Sequence, residues 1–201
     1  MQLIQTSTAV LLVWAIAGYL LGSIPFGMVV ARFMGIGNLR EIGSGNIGAT
    51  NVLRTGNKKA AALTLLFDAG KGAVIVLLAR KFATEDAAQI AGLAAILGHC
   101  FPVWLKFKGG KGVATYFGLM IALSPVVGLA AGAIWLVVAA ISRYSSLAAL
   151  MAAGWAPIVV AFITDGQIFA LASVLAVLIY VRHAANIGRP RRGEESKIGK
   201  K

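Results

Sequence analysis

Seven predominantly apolar stretches alternate with short polar segments along the chain, at roughly 8–32, 60–80, 87–106, 112–124, 126–142, 146–164 and 166–185. Hydrocarbon about 30 Å thick takes roughly 20 residues of helix to cross, and most of these stretches approach that length. The pattern predicts an all-α integral membrane protein with seven transmembrane helices. The fourth stretch is short and Pro125 separates it from the fifth, so a single bent element is the competing reading. The first stretch lacks a basic segment before it and is too long for the core of a signal peptide, which makes it a span.

Charge orients the spans. With the N-terminus outside, the positive-inside rule is obeyed throughout. Arg32, Arg40, Arg54, Lys58 and Lys59 follow span one, Lys106, Lys108 and Lys111 follow span three, and Arg143 follows span five. The cytoplasmic C-terminus adds Arg182, Arg189, Arg191, Arg192, Lys197, Lys200 and Lys201, whereas the outer loops hold only Arg80 and Lys81 beside Glu85, Asp86 and Asp165. Merging spans four and five would spoil this agreement. A single membrane domain over 1–189 is expected, followed by a basic, flexible cytoplasmic tail over 190–201.

Composition narrows the partners. The chain is 59% hydrophobic, with 13% charged residues and a net charge of +12, against about 25% charged in soluble domains. Such a balance suits nucleic acid, an anionic membrane surface or anionic substrates, and the hydropathy favours the last two over nucleic acid. One cysteine, Cys100, excludes an intramolecular disulfide framework, and there is no metal-ligand constellation.

Three segments carry the candidate chemistry, all expected at the cytoplasmic face. The first, Gly43 to Asn51 followed by Arg54, offers glycines for close backbone approach to an anion, the side chains of Ser44, Asn46 and Thr50, and an arginine for bidentate phosphate binding. Residues 43–48 fit G-x-G-x-x-G, but no strand precedes them, so the dinucleotide fold is rejected. The second segment, Lys106-Phe107-Lys108-Gly109-Gly110-Lys111-Gly112, opens span four with glycines and lysines but lacks the pattern of a Walker A loop. The third places His183 and Asn186 three apart, on one helix face. Ser145 and Ser146 add hydroxyls after span five, where a helix cap explains them equally well. Asp68 and Lys71, three apart inside span two, read as a structural ion pair.

Taken in this order, the Ser44 to Arg54 loop, the Gly98 to Thr115 stretch and the His183-x-x-Asn186 ending resemble the PlsY family, the bacterial acyl-phosphate-dependent glycerol-3-phosphate acyltransferases. The likeness covers nearly the whole chain. It implies acyl transfer from acyl phosphate to the 1-hydroxyl of glycerol 3-phosphate, giving lysophosphatidic acid and phosphate at the start of phospholipid synthesis. The expected setting is the bacterial inner membrane, with membrane lipid as a partner and no cofactor. The resemblance implies catalytic roles for His183, Asn186, Lys111 and Arg54, and substrate contacts from Ser44, Asn46, Thr50, Lys108 and one or other of Ser145 and Ser146, while Gly45, Gly109 and Gly110 are expected to bring backbone donors to the substrate. Ile47 stands where many relatives carry proline. The alternative from a different class is a transporter of an organophosphate, whose site should lie near the bilayer midplane.

Overall fold

A computed structural model describes residues 6–189 and 195–199, and all regular structure among them is helical. Helices α1 (Thr8–Gly22) and α2 (Phe26–Phe33) divide the first apolar stretch, which the hydrophobic pattern had suggested was continuous. The interruption follows from Pro25, which lacks an N–H and disfavours helical geometry in the residue before it. A short α3 (Ala49–Arg54) then precedes the long α4 (Lys58–Phe82), which Asn57 caps by accepting from the Ala60 amide at 3.0 Å. Helix α5 (Glu85–Cys100) starts with a Thr84 cap and two acids in its first turn, where the helix dipole favours negative charge. After a 3-10 turn at Val103–Leu105 come α6 (Val113–Leu123), α7 (Pro125–Ser142), α8 (Ser145–Ile163), α9 (Phe169–Arg182) and α10 (Ala184–Ile187).

Among the described residues, five helical segments are long and apolar enough to cross a membrane: Thr8–Phe33 taken through its break, Lys58–Phe82, Glu85–Leu105, Pro125–Ser142 and Ser145–Ile163. Val113–Leu123 and Phe169–Arg182 are apolar but shorter. Helices α6 and α7 form a hairpin about Ser124 and Pro125, not one bent rod, and Gly128 packs directly on the Ile121 backbone.

The packing is that of a membrane protein. Small residues lie inside, so that backbones touch: a Cβ on Gly18 would stand 2.3 Å from the Ala91 carbonyl oxygen, and one on Gly22 only 2.0 Å from that of Ala95. Such contact replaces the hydrophobic drive that lipid cannot supply between helices. Large apolar side chains turn outward instead, among them Leu12, Ile16, Leu66, Leu136, Phe162 and Val177, a surface suited to lipid rather than water.

One cluster of buried polar groups sits where the backbone is broken. Lys71 Nζ donates to the Ile24 carbonyl at 2.8 Å, beside the Pro25 interruption, and pairs with Asp68 Oδ1 at 2.9 Å. His99 Nδ1 lies 3.5 Å from the same carboxylate oxygen. The expected ion pair is present, and its role is to satisfy an exposed helix end.

The two ends of the bundle differ. Where α4 finishes, Arg80 donates to both Glu85 oxygens at 2.7 and 2.8 Å, and to the Ala122 and Leu123 carbonyls at 2.6 and 3.1 Å. At the opposite end, where α4 begins, the three segments singled out from the sequence meet.

Candidate active site

The first loop is organised by a residue inside it. Asn51 is buried, and its amide nitrogen donates to the carbonyls of Leu39, Ile42 and Asn46 at 3.0, 3.0 and 2.7 Å. Its amide oxygen accepts from the Ser44 backbone at 2.9 Å and the Ser44 hydroxyl at 3.2 Å. The chain can wrap around one side chain this tightly because Gly43 and Gly45 take φ values of +54° and +67°, open to glycine at no steric cost. Asn46 caps its neighbour, Oδ1 accepting from the Ile47 amide at 2.8 Å. Arg40 donates to the carbonyls of Gly45 and Lys108, tying the first loop to the second.

From this frame α3 presents Thr50 and Arg54. The Thr50 and Ser145 hydroxyls are 3.1 Å apart, and Arg54 donates to Asn51 Oδ1 at 3.5 Å and to the Ser196 carbonyl at 3.4 Å. Partial burial pulls the Arg54 pKa down while the Glu195 carboxylate opposes the shift. The guanidinium stays charged.

The second loop departs from the simple picture of amides cradling an anion. The Gly109 and Gly110 amides point inward and donate to the Cys100 and His99 carbonyls, both at 3.1 Å. A Cβ on Gly109 would stand 2.2 Å from the His99 oxygen, and one on Gly110 2.3 Å from His99 Nε2. These glycines therefore let the turn lie flat on the end of α5. Its outward carbonyls accept from Arg182, with Nε and Nη2 at 3.1 and 2.9 Å from the Gly110 oxygen.

The turn delivers Lys111 just before α6. Its ammonium donates to Asn186 Oδ1 at 2.5 Å. Burial pushes the Lys111 pKa down to about 8; Glu195 resists the shift, while Arg189, Arg54 and Arg182 add to it. Lys108 is exposed, and its carbonyl, rather than its ammonium, joins the network through Arg40.

In the third segment, His183 is buried and its Nδ1 lies 2.8 Å from the Ile179 carbonyl. A carbonyl only accepts, so Nδ1 carries the proton and neutral His183 keeps a lone pair on Nε2. Asn186 bridges Lys111 to Glu195, its amide nitrogen donating to the two carboxylate oxygens at 2.8 and 3.0 Å. Ser146 donates to the same carboxylate at 2.7 Å. Both serines after α7 thus take part in the network, while neither caps α8.

The described part of the tail, residues 195–199, bonds back to the helix ends. The Ile198 amide donates to the Arg143 carbonyl at 2.7 Å, and Arg143 returns a bond to the Ile198 carbonyl at 3.1 Å. A cavity of about 390 Å³ lies alongside, lined by Thr50, Arg54, Lys58 and Ile198 among others. Arg191 and Arg192, counted with the basic tail, lie outside the described residues, as do Lys200 and Lys201.

Four residues at this end escaped the sequence reading as site members: Arg40, Asn51, Arg182 and Glu195. Asn51 stands inside the first segment and Arg182 directly before the third, but their amide and guanidinium donors go to main-chain carbonyls that no residue pattern displays. Glu195 was hidden by a tail that reads as basic and solvated.

The chain matches the family model described as Glycerol-3-phosphate acyltransferase over residues 12–193. A protein of that name from Jannaschia sp. (strain CCS1) is 58% identical over 198 residues, covering 98% of both chains. Another, from Dinoroseobacter shibae, is 59% identical with the same coverage. Among solved structures, the glycerol 3-phosphate form of PlsY, an integral membrane glycerol 3-phosphate acyltransferase, superposes with a TM-score of 0.87 at 41% identity over 94% of this chain and 96% of that one. The lysophosphatidic acid form gives 0.83 at 39% identity, over 94% and 95%.

Proposed function

The chain belongs to the glycerol-3-phosphate acyltransferase family, multi-pass membrane enzymes of phospholipid biosynthesis, and from this premise we propose that its acyl donor is an acyl phosphate. The observation that carries the reading is the Lys111 to Asn186 contact at 2.5 Å, which brings the second and third segments to one point beside Arg54 and the Thr50–Ser145 hydroxyl pair. Two phosphorylated substrates require more than one cation in one place, and Arg54 and Lys111 supply them. An acyl phosphate is an activated mixed anhydride, so no enzyme nucleophile is required. The sole cysteine, Cys100, is fully buried in the apolar core.

The step is a direct transfer. The 1-hydroxyl oxygen of glycerol 3-phosphate bonds to the acyl carbon, the bond from that carbon to the phosphate oxygen breaks, and inorganic phosphate leaves with the electron pair. The hydroxyl proton passes to a phosphate oxygen. His183 and Asn186 orient glycerol 3-phosphate, while Lys111 and Arg54 offset phosphate charge. Ser44, Gly45, Asn46, Thr50, Ser145 and Ser146 bind and shape the polar pocket. Gly109 and Gly110 act by holding Lys111, and Lys108 contributes positive potential from the surface.

Seven crossings, with the N-terminus outside and this end facing the cytoplasm of a bacterial inner membrane, complete the proposal. The positive-inside distribution and the two shorter apolar helices support it. Purified protein in lipid, given acyl phosphate and labelled glycerol 3-phosphate, should form lysophosphatidic acid and phosphate in equal amounts. Turnover with an acyl thioester but none with acyl phosphate would refute the donor assignment. Uptake into vesicles without lysophosphatidic acid would instead favour a transporter.

A further inference from the structure

Arg182 ends α9, one residue before His183, yet its guanidinium serves the turn before Lys111. Nε and Nη2 bond the Gly110 carbonyl at 3.1 and 2.9 Å, and Nη2 reaches the Gly109 carbonyl at 3.4 Å. Its plane lies over the Phe101 ring, 4.9 Å from the centroid. With the amides of the same glycines bonded to the end of α5, the turn is gripped on both its donor and its acceptor sides. We propose that Arg182 is a positioning residue for the acyl transfer, setting Lys111 in register with His183 and Asn186.

One comparison within the molecule separates this role from ordinary packing. Arg80 makes the same kind of bond, to the Ala122 and Leu123 carbonyls, but it is neutralised by Glu85 at 2.7 Å. Among the described residues Arg182 has no carboxylate within 4.0 Å, so its charge adds to that of the site. Lysine is a poor substitute, because one ammonium does not combine a forked grip on two successive carbonyls with stacking on an aromatic face. A misplacement of about 1 Å in such a site costs on the order of a hundredfold in rate.

The inference rests on the reading that Lys111 belongs to the active site, so Lys111→Ala is assayed beside Arg182→Lys, Arg182→Gln and the distant control Arg80→Gln. Each full-length protein, in lipid, is measured for kcat and KM with acyl phosphate and glycerol 3-phosphate, for rate against pH, and for its unfolding midpoint. Arg182→Lys should lower kcat/KM at least about tenfold, mostly in kcat, while keeping its unfolding midpoint. In both Arg182 variants the alkaline limb of kcat/KM should move to higher pH, because Lys111 is released towards water. Full activity in Arg182→Lys, or a limb that stays in place, would overturn the proposal, as would a loss that tracks the folded fraction as in Arg80→Gln. If Lys111→Ala is itself fully active, the site reading fails first.

Discussion

The two poles of the helix bundle use the same polar chemistry to different ends. At the Arg80 pole the buried-side cation is fully answered: two carboxylate oxygens and two helix-end carbonyls take up one guanidinium, and the ion pair closes on itself. At the Arg182 pole, among the described residues, Lys111, Arg54 and Arg189 lean on the single carboxylate of Glu195 while Arg182 has none, and burial, with the neighbouring arginines adding to it, depresses the Lys111 pKa. A balanced cluster stabilises a fold. An unbalanced one stores affinity for an anion, at the cost of repulsion until that anion arrives.

The sharpest way to break the comparison is to remove charge from each pole in turn. Lys111→Ala should reduce kcat/KM by about a hundred- to a thousandfold, the range for losing one preorganised electrostatic contact, measured with acyl phosphate and glycerol 3-phosphate. His183→Ala should cost less, about tenfold, with the shape of the pH profile unchanged if the substrate phosphate takes the proton. A profile that loses an ionisation would make His183 the base.

Titration sharpens the same contrast. The Lys111 pKa is lowered to about 8, so its charged form is held below that pH and lost as pH rises through it. The alkaline limb of kcat/KM should therefore fall near pH 8, while bound phosphate shifts the corresponding limb of kcat upward. Glu195→Gln removes the carboxylate that supports the lysine charge, and should move the kcat/KM limb to lower pH by a fraction of a unit. The smallest effect on turnover belongs to Arg80→Gln, which should lower unfolding stability by about 1 to 3 kcal/mol, the cost of orphaned polar partners, and leave activity per folded molecule unchanged.

Much of this arrangement is legible in the sequence. Apolar length sets out the helices, and the Gly43 to Arg54, Lys106 to Gly112 and His183 to Asn186 segments stand out because polar groups and cations interrupt the apolar runs there, all on one side of the predicted topology. Direction is what the residues do not reveal. Glycines 109 and 110 permit close approach equally to an anion and to the protein's own backbone, and only packing on His99 decides which. Arg182 passes for one more basic residue at a helix end, since its partners lie 72 and 73 positions earlier. Pro25 marks its own interruption, but the hydrophobic run across it hides the break, whose polar debt is settled by Lys71 from another helix.

Convergence of the three segments at one membrane face is the claim on which the rest depends. Single cysteines at Ser44, Lys108 and Ala185, one exposed position in each segment, can be probed with a membrane-impermeant maleimide in vesicles of known orientation, since the native Cys100 is buried and gives little background. All three should label from the same side, and glycerol 3-phosphate should slow the reaction at position 44. Labelling of any one from the opposite side would contradict the shared site.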